Sequence, residues 1–156
     1  MKSKLVIFLT ILISHTVKAQ NLTPPEGGYA AFIISHMDQS KSWYQEVLGF
    51  QEINHIVNEE RGFEIANLKH GDIGLELIQI KGSISKDSLM AVHTKPLPLQ
   101  GIFKFGLYIS EFDEWILQLQ PFIKELENQI VRDPITGKRM VVIRDPDGNR
   151  IQLFER

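Results

Sequence analysis

At 156 residues, with 43% hydrophobic and 23% charged side chains, the chain can build one domain with a real core and is too short for several. Its 17 Lys and Arg against 19 Asp and Glu give a formal charge of −2 with no basic run, which argues against nucleic acid or an anionic membrane surface as partner. Cysteine is absent, which excludes disulfides and thiol chemistry.

In chain order, Lys2 and Lys4 open a basic start, residues 5–13 are apolar apart from Thr10, and Val17-Lys18-Ala19 places small residues before Gln20. This pattern predicts a secretory signal peptide over residues 1–19, with an apolar stretch too short to span a bilayer. Cleavage would remove three lysines and no acid, leaving 14 basic and 19 acidic residues and a charge of −5. The expectation is export to a periplasmic or extracellular space, with no membrane attachment after cleavage. Residues 20–28 carry Pro24-Pro25 and Gly27-Gly28 and read as a linker.

Residues 29–34 form a β-rich run, and Ser35 to Ser40 offer helix N-cap candidates. Trp43, Tyr44, Val47 and Leu48 then recur at helical spacing until Gly49 stops the helix. Strands follow at 50–56, 62–68 and 74–80, separated by polar turns. Residues 82–100, with Pro96 and Pro98, show no sustained period and read as a linker or lid.

The pattern then repeats. Residues 101–109 read as a strand, and Phe112, Trp115, Ile116, Leu119, Phe122, Ile123 and Leu126 mark an amphipathic helix. Pro121 should kink or divide it, because proline removes a donor and crowds the preceding turn. A short strand at 129–132 and a turn at 133–138 lead to a final hairpin closed by Asp145-Pro146-Asp147-Gly148-Asn149. In that turn Asp145 can accept from backbone amides, Pro146 presets φ, and Gly148 takes a positive φ. Two β-α-β-β-β halves point to a tandem-module fold.

Three stretches carry a family resemblance: Ser40-Lys41-Ser42-Trp43-Tyr44, Leu48-Gly49-Phe50, and the hairpin from Asp145 through Gln152. In order and spacing, residues 28–156 resemble the vicinal oxygen chelate superfamily, with its glyoxalase, bleomycin-resistance and extradiol-dioxygenase relatives. The resemblance implies an α+β fold: two tandem βαβββ modules forming a cupped, barrel-like mixed sheet with helices on the outside. It implies a single domain over 29–156, with modules at about 29–81 and 101–156. It also implies paired modules whose concave faces make one cavity. Its four metal-ligand positions fall at Tyr29, Glu76, Lys104 and Gln152, where metal-dependent relatives mostly carry His, Glu and Gln.

Strand alternation assigns the same faces independently. Ala30, Phe32, Ile34, Leu75, Leu77, Phe105, Leu107, Ile109, Ile151 and Leu153 should pack on helices. Tyr29, Glu76, Lys104, Tyr108, Arg150 and Gln152 should face the cup as the ligand-binding set. The donors suit a metal poorly: Lys104 has no lone pair while protonated, and a phenol such as Tyr29 has a reference pKa of about 10. Lys104 and Glu76 are expected to pair as a buried couple in place of the cation. Lys104 and Arg150 would offer positive charge to a carboxylate or enolate oxygen, with Tyr108, Phe154, Ile78 and Ile80 as apolar wall.

The resulting expectation is an exported, metal-independent small-molecule-binding protein with no cofactor and no assigned catalytic residue. A homodimer is left open. The alternatives are a metal-dependent lyase, isomerase or dioxygenase with Glu76 as base, or an interaction module whose polar cluster only plugs the cup. His36 and His70 fall in turns and read as solvated, His55 could reach the cup rim, and His93 could complete a site if the lid closes.

Overall fold

A glycine sets the first corner of the structure, a computed structural model that describes residues 27–91 and 101–156. β1 (Gly28–Ile34) leads into α1 (Met37–Leu48), which ends at Gly49 with φ of 70°. The Gly49 amide donates to Gln45 O and the Phe50 amide to Tyr44 O, closing the last turn and aiming the chain into β2 (Gln51–Asn58). At the other end no serine acts as the cap. His36 holds that position without a side-chain bond, and Gln79 Oε1 accepts from the Met37 amide at 2.6 Å. The helix start is thus pinned by a side chain distant in sequence.

β3 (Phe63–His70) and β4 (Ile73–Ile80) complete the first module. Its sheet runs β1-β4-β3-β2, with β1 parallel to β4 and the other pairs antiparallel. α2 (Lys86–Met90) places one short helix in the segment read as linker or lid, capped where Ser85 accepts from the Ser88 amide. The proposed signal peptide, linker residues 20–26, and His93 with the rest of that segment lie outside the described residues.

The second module repeats the plan with β5 (Phe105–Ile109), α3 (Phe112–Leu119), β6 (Val131–Arg132), β7 (Arg139–Arg144) and β8 (Arg150–Glu155), in the sheet order β5-β8-β7-β6. α3 stops before Pro121, and Leu126 falls in a separate short 3-10 turn, Leu126–Gln129. The fold is α+β, with two four-stranded mixed sheets that cup without closing into one barrel.

Side-chain alternation holds on all the strands used above. Phe32, Ile34, Leu75, Leu77, Ile109, Ile151 and Leu153 are buried in one core cluster that also takes in Tyr44, Leu48, Ile116 and Leu119 from the helices. At about 1.5–3 kcal/mol for each fully buried aliphatic or aromatic side chain, this cluster is the main source of stability. The core crosses the module boundary: the Phe32 ring meets Phe105 edge-on at 6.0 Å and stacks on Tyr44 at 6.3 Å.

Polar contacts lock the same boundary. Tyr44 Oη donates to Asp145 Oδ2 at 2.9 Å, Ser40 Oγ to Asp147 Oδ2 at 3.0 Å, and the Ser35 amide to Asp147 Oδ1 at 2.8 Å. Burial, and then the Asp145 carboxylate, push the Tyr44 phenol far above its ordinary range, so it stays a donor. In the second module Arg139 bridges Asp113 on α3 and Glu155 on β8, with its guanidinium over the Phe112 ring.

Replacing Tyr44 by Phe should cost about 1–3 kcal/mol, because it removes one donor from a buried carboxylate and leaves the ring packing intact. Urea denaturation should show a lower midpoint with an unchanged slope. An unchanged midpoint would mean that water replaces the bond. Acid sensitivity should also trace to Glu155, whose carboxyl is lowered from 4.5 to about 2, first by the Arg139 side chain and then by the Arg139 amide. A depressed folded pKa gives stability that is complete above the unfolded value and is lost as pH falls from about 4.5 towards about 2. Glu155→Gln should flatten that part of the acid-unfolding profile, lowering stability in the neutral range and changing it least below about pH 2.

Candidate functional site

The strand faces opposite the helices carry the candidate site. Cross-strand register places them in rows. In the first sheet Ala31, Glu76, Asn67 and Asn54 stand side by side, and Asn67 Nδ2 donates to Asn54 Oδ1 at 2.6 Å. The adjacent row is four isoleucines: Ile33, Ile78, Ile65 and Ile56. Tyr29 pairs with Gly74, where a Cβ would come within 3.0 Å of the Tyr29 Cβ, so the glycine makes room for the tyrosine.

The second sheet repeats the layout. Its apolar row is Tyr108, Phe154, Met140 and Val131, the counterpart of the isoleucines. Tyr108 and Phe154 touch, with ring centroids 5.7 Å apart. The next row is Gly106, Gln152 and Val142, and beyond it Arg150 faces Arg144. Lys104 precedes β5 and is exposed.

The sequence-derived set therefore divides into two. Tyr29 and Glu76 share the first sheet's face; Tyr108, Arg150 and Gln152 share the second's. Among the described residues no hydrogen bond or ion pair links Glu76 to Lys104, so the expected buried couple does not form within one chain. The physical reason is the placement of the core. The contacts that bury the module boundary are made by helix-side residues, which leaves the cup faces to solvent, with Tyr29 and Tyr108 each 77% exposed. The concave faces are therefore open to solvent in the single chain. Gln152 is the exception to exposure: it is only 3% exposed, and its Nε2 donates to Met140 Sδ at 2.7 Å.

A cleft of about 540 Å³ opens elsewhere, beyond the ends of β1 and β4, lined by residues including Ser35, His36, Glu64, Gln79 and Lys81. Its size does not make it the site. Gln79 is spent on the Met37 amide, and Glu64 is closed on His55 at 2.7 Å. His55 pairs with buried Ala66 and so belongs to the helix-covered face, away from the cup rim. His70, expected to be solvated, is exposed and also meets Phe50 and Trp115, with Nδ1 2.9 Å from Leu48 O at the end of α1.

The four positions that hold a metal in relatives of the resembled family do not fit one here. The ammonium of Lys104 offers no lone pair, and the amide nitrogen of Gln152 is turned to sulfur. Glu76 is left as the one strong oxygen donor, where a divalent cation needs several. Sequence reading missed the β2 and β3 members of the rows. Alternation was legible there, but the pairing register shifts between Glu52 and Asn54 and reverses the phase along β2. Arg144, at the end of the strand run before the Asp145–Asn149 turn, was not assigned to either face.

A model of the Glyoxalase/Bleomycin resistance protein/Dioxygenase superfamily matches residues 28–153. The chain is 30% identical over 129 residues to the uncharacterized protein YwkD of Bacillus subtilis, covering 81% of this chain and 94% of that one. A glyoxalase family protein from Enterococcus faecalis superposes with a TM-score of 0.63 at 24% identity, covering 81% of this chain and 94% of that chain. A lactoylglutathione lyase from Agrobacterium tumefaciens gives 0.55 at 23%, over 85% and 95% of the two chains. At these identities the solved structures show the fold.

Gln152→Glu tests whether the metal position can still accept a carboxylate. Burial beside Met140 should raise the new group's pKa, so the variant should match the parent below about pH 4 and lose about 1–3 kcal/mol as pH rises to 7. Denaturation midpoints across that range measure it. Equal stability at pH 7 would show that Lys104 or Arg150 swings onto position 152.

Proposed function

We propose, for a chain that belongs to the Glyoxalase/Bleomycin resistance protein/Dioxygenase superfamily, a role as an exported protein that binds a small molecule without a metal. The ligand is partly apolar and carries an anionic or carbonyl oxygen. The observation that carries this reading is the matched pair of apolar rows, Ile33 to Ile56 and Tyr108 to Val131, each bordered by polar side chains and left uncovered on its own sheet. A lone apolar face is an incomplete site, because a pocket needs a second wall.

A second copy of the chain supplies that wall. The first sheet's face carries Glu76, and the second's carries Lys104 and Arg150. Setting one against the other in a two-fold dimer puts Glu76 of one copy opposite Lys104 of the other, twice. A four-stranded face spans roughly 20 by 20 Å, so the two faces present on the order of 800 Å² per copy, the size of a standard interface.

One observation favours catalysis as a second reading. Glu76 lies between Ala31 and Asn67, against the isoleucine row, where a carboxylate could serve as a base once the cup is covered. Stoichiometric metal in the purified protein, lost on Glu76→Gln, would favour that reading. An intact Met1 on protein from its native host would end the export part.

The wild-type chain should sediment as a dimer at micromolar concentration. Glu76→Lys should shift it towards monomer, and adding Lys104→Glu should restore the dimer. A panel of small carboxylates and carbonyl compounds should include members that raise the melting temperature, since ligand at 100 times its Kd adds about 2.7 kcal/mol. A monomeric wild type would remove the shared cup, and a flat panel would favour a purely structural face.

A further inference from the structure

Arg144 and Arg150 stand directly opposite each other on β7 and β8, on the cup face. Like charges at opposed strand positions repel, and an acid nearby usually offsets them. The acids of this hairpin are committed elsewhere. Asp145 is 5% exposed and accepts from Tyr44 and from its own turn, while Asp147 accepts from Ser35 and Ser40 on the first module. Among the described residues, none of Lys104, Arg144 and Arg150 forms an ion pair. In the dimer proposed above, Glu76 of a second copy meets Lys104 and still leaves both arginines without an acid.

The two guanidinium groups are also placed. Arg144 Nη1 donates to Gly148 O at 3.0 Å, which holds the side chain along the hairpin. Arg150 lies over the ring of Phe103, 4.2 Å from its centroid. A guanidinium seated on a ring keeps its N–H edges directed outward in its own plane, the geometry that matches a carboxylate with two parallel bonds. Phe103 is itself exposed, so this aromatic support is not part of the core.

Next to this corner the strand is cleared. A Cβ placed at Gly106 meets nothing within 4 Å, so the face of β5 is open between Lys104 and Tyr108. The Tyr108–Phe154 pair stands at the far end of this open surface, four residues along β8 from Arg150, or about 13 Å.

We propose that Arg150, with Arg144 beside it, is the head site for a carboxylate whose apolar body lies over Gly106 and ends against Tyr108 and Phe154. The ligand class is an extended aryl- or alkyl-carboxylic acid about 10–13 Å long, a length set by the strand rise. This deepens the reading of the cup as a ligand site and rests on it.

The test is isothermal titration of the full-length protein with 6-phenylhexanoate and with its neutral amide. The acid should bind at least about tenfold more tightly than the amide, and this preference should shrink as salt is added. Arg150→Gln should bring the acid down to the affinity of the amide and leave the amide unchanged. Gly106→Val, a residue that suits a strand, should weaken both. Should Arg150→Gln fail to fold, Arg150→Lys serves instead; it keeps the charge, loses the planar fork, and should retain only part of the preference. Equal binding of acid and amide, or an unchanged preference in the Arg150 variant, would overturn the head site while leaving the cup a binding site. Tighter binding of 6-phenylhexyl phosphate than of the acid would overturn the carboxylate assignment. Binding of neither probe would overturn this proposal, and a flat response across the wider panel would then end the cup reading as well.

Discussion

The Asp145 carboxylate accepts four hydrogen bonds: from the Tyr44 hydroxyl, the Asp147 and Asn149 amides, and the Asn149 side chain. Three of them build the turn between β7 and β8. The fourth comes from a helix more than 100 residues earlier and ties the second module to the first. A buried carboxylate is tolerated only when its lone pairs are filled, so the turn and the module contact depend on each other. If the turn opened, Asp145 would lose its local donors; if α1 moved, it would lose Tyr44. The ring of Tyr44 also stacks on Phe32, which meets Phe105, so the polar lock and the apolar core share a residue.

That lock determines which faces remain available. Because the modules meet through their helix-covered sides, β1, β3, β4 and β7 commit alternate side chains to the core and leave the others on the open cup. The acids of the last hairpin are drawn towards α1 while its arginines stay on the opposite face. Charge is thus segregated by the pleat itself: neighbouring residues in a strand point to opposite sides of the sheet.

The cup has the family's geometry with different chemistry. Four positions that would converge on a cation hold a phenol, a carboxylate, an ammonium and an amide, and the amide is already bonded to Met140. What the surface offers in exchange is apolar width and positive charge. Both sheets keep an uninterrupted apolar row, and the positive groups gather at one end of the second sheet, beside the open strand at Gly106.

Much of this was legible in the chain. The turn of the last hairpin follows from Asp145, Pro146 and Gly148, whose φ of 75° is the one the turn requires. The end of α1 at Gly49 and the break of α3 at Pro121 are local backbone chemistry, and local chemistry is written residue by residue. Period-two alternation sorted the β1, β4, β5 and β8 side chains between core and cup, because in a half-buried strand the pleat leaves no other choice. Other features depend on contacts between distant residues. Gln79 capping α1, the phase reversal in β2, Gln152 turning to Met140, and the separation of Glu76 from Lys104 are fixed by packing, and no spacing rule reports them. The sequence determined which side chains share a face; only the tertiary structure decided which faces meet. Helix-side burial across both modules outweighs anything the cup residues could gain by closing on each other within one chain.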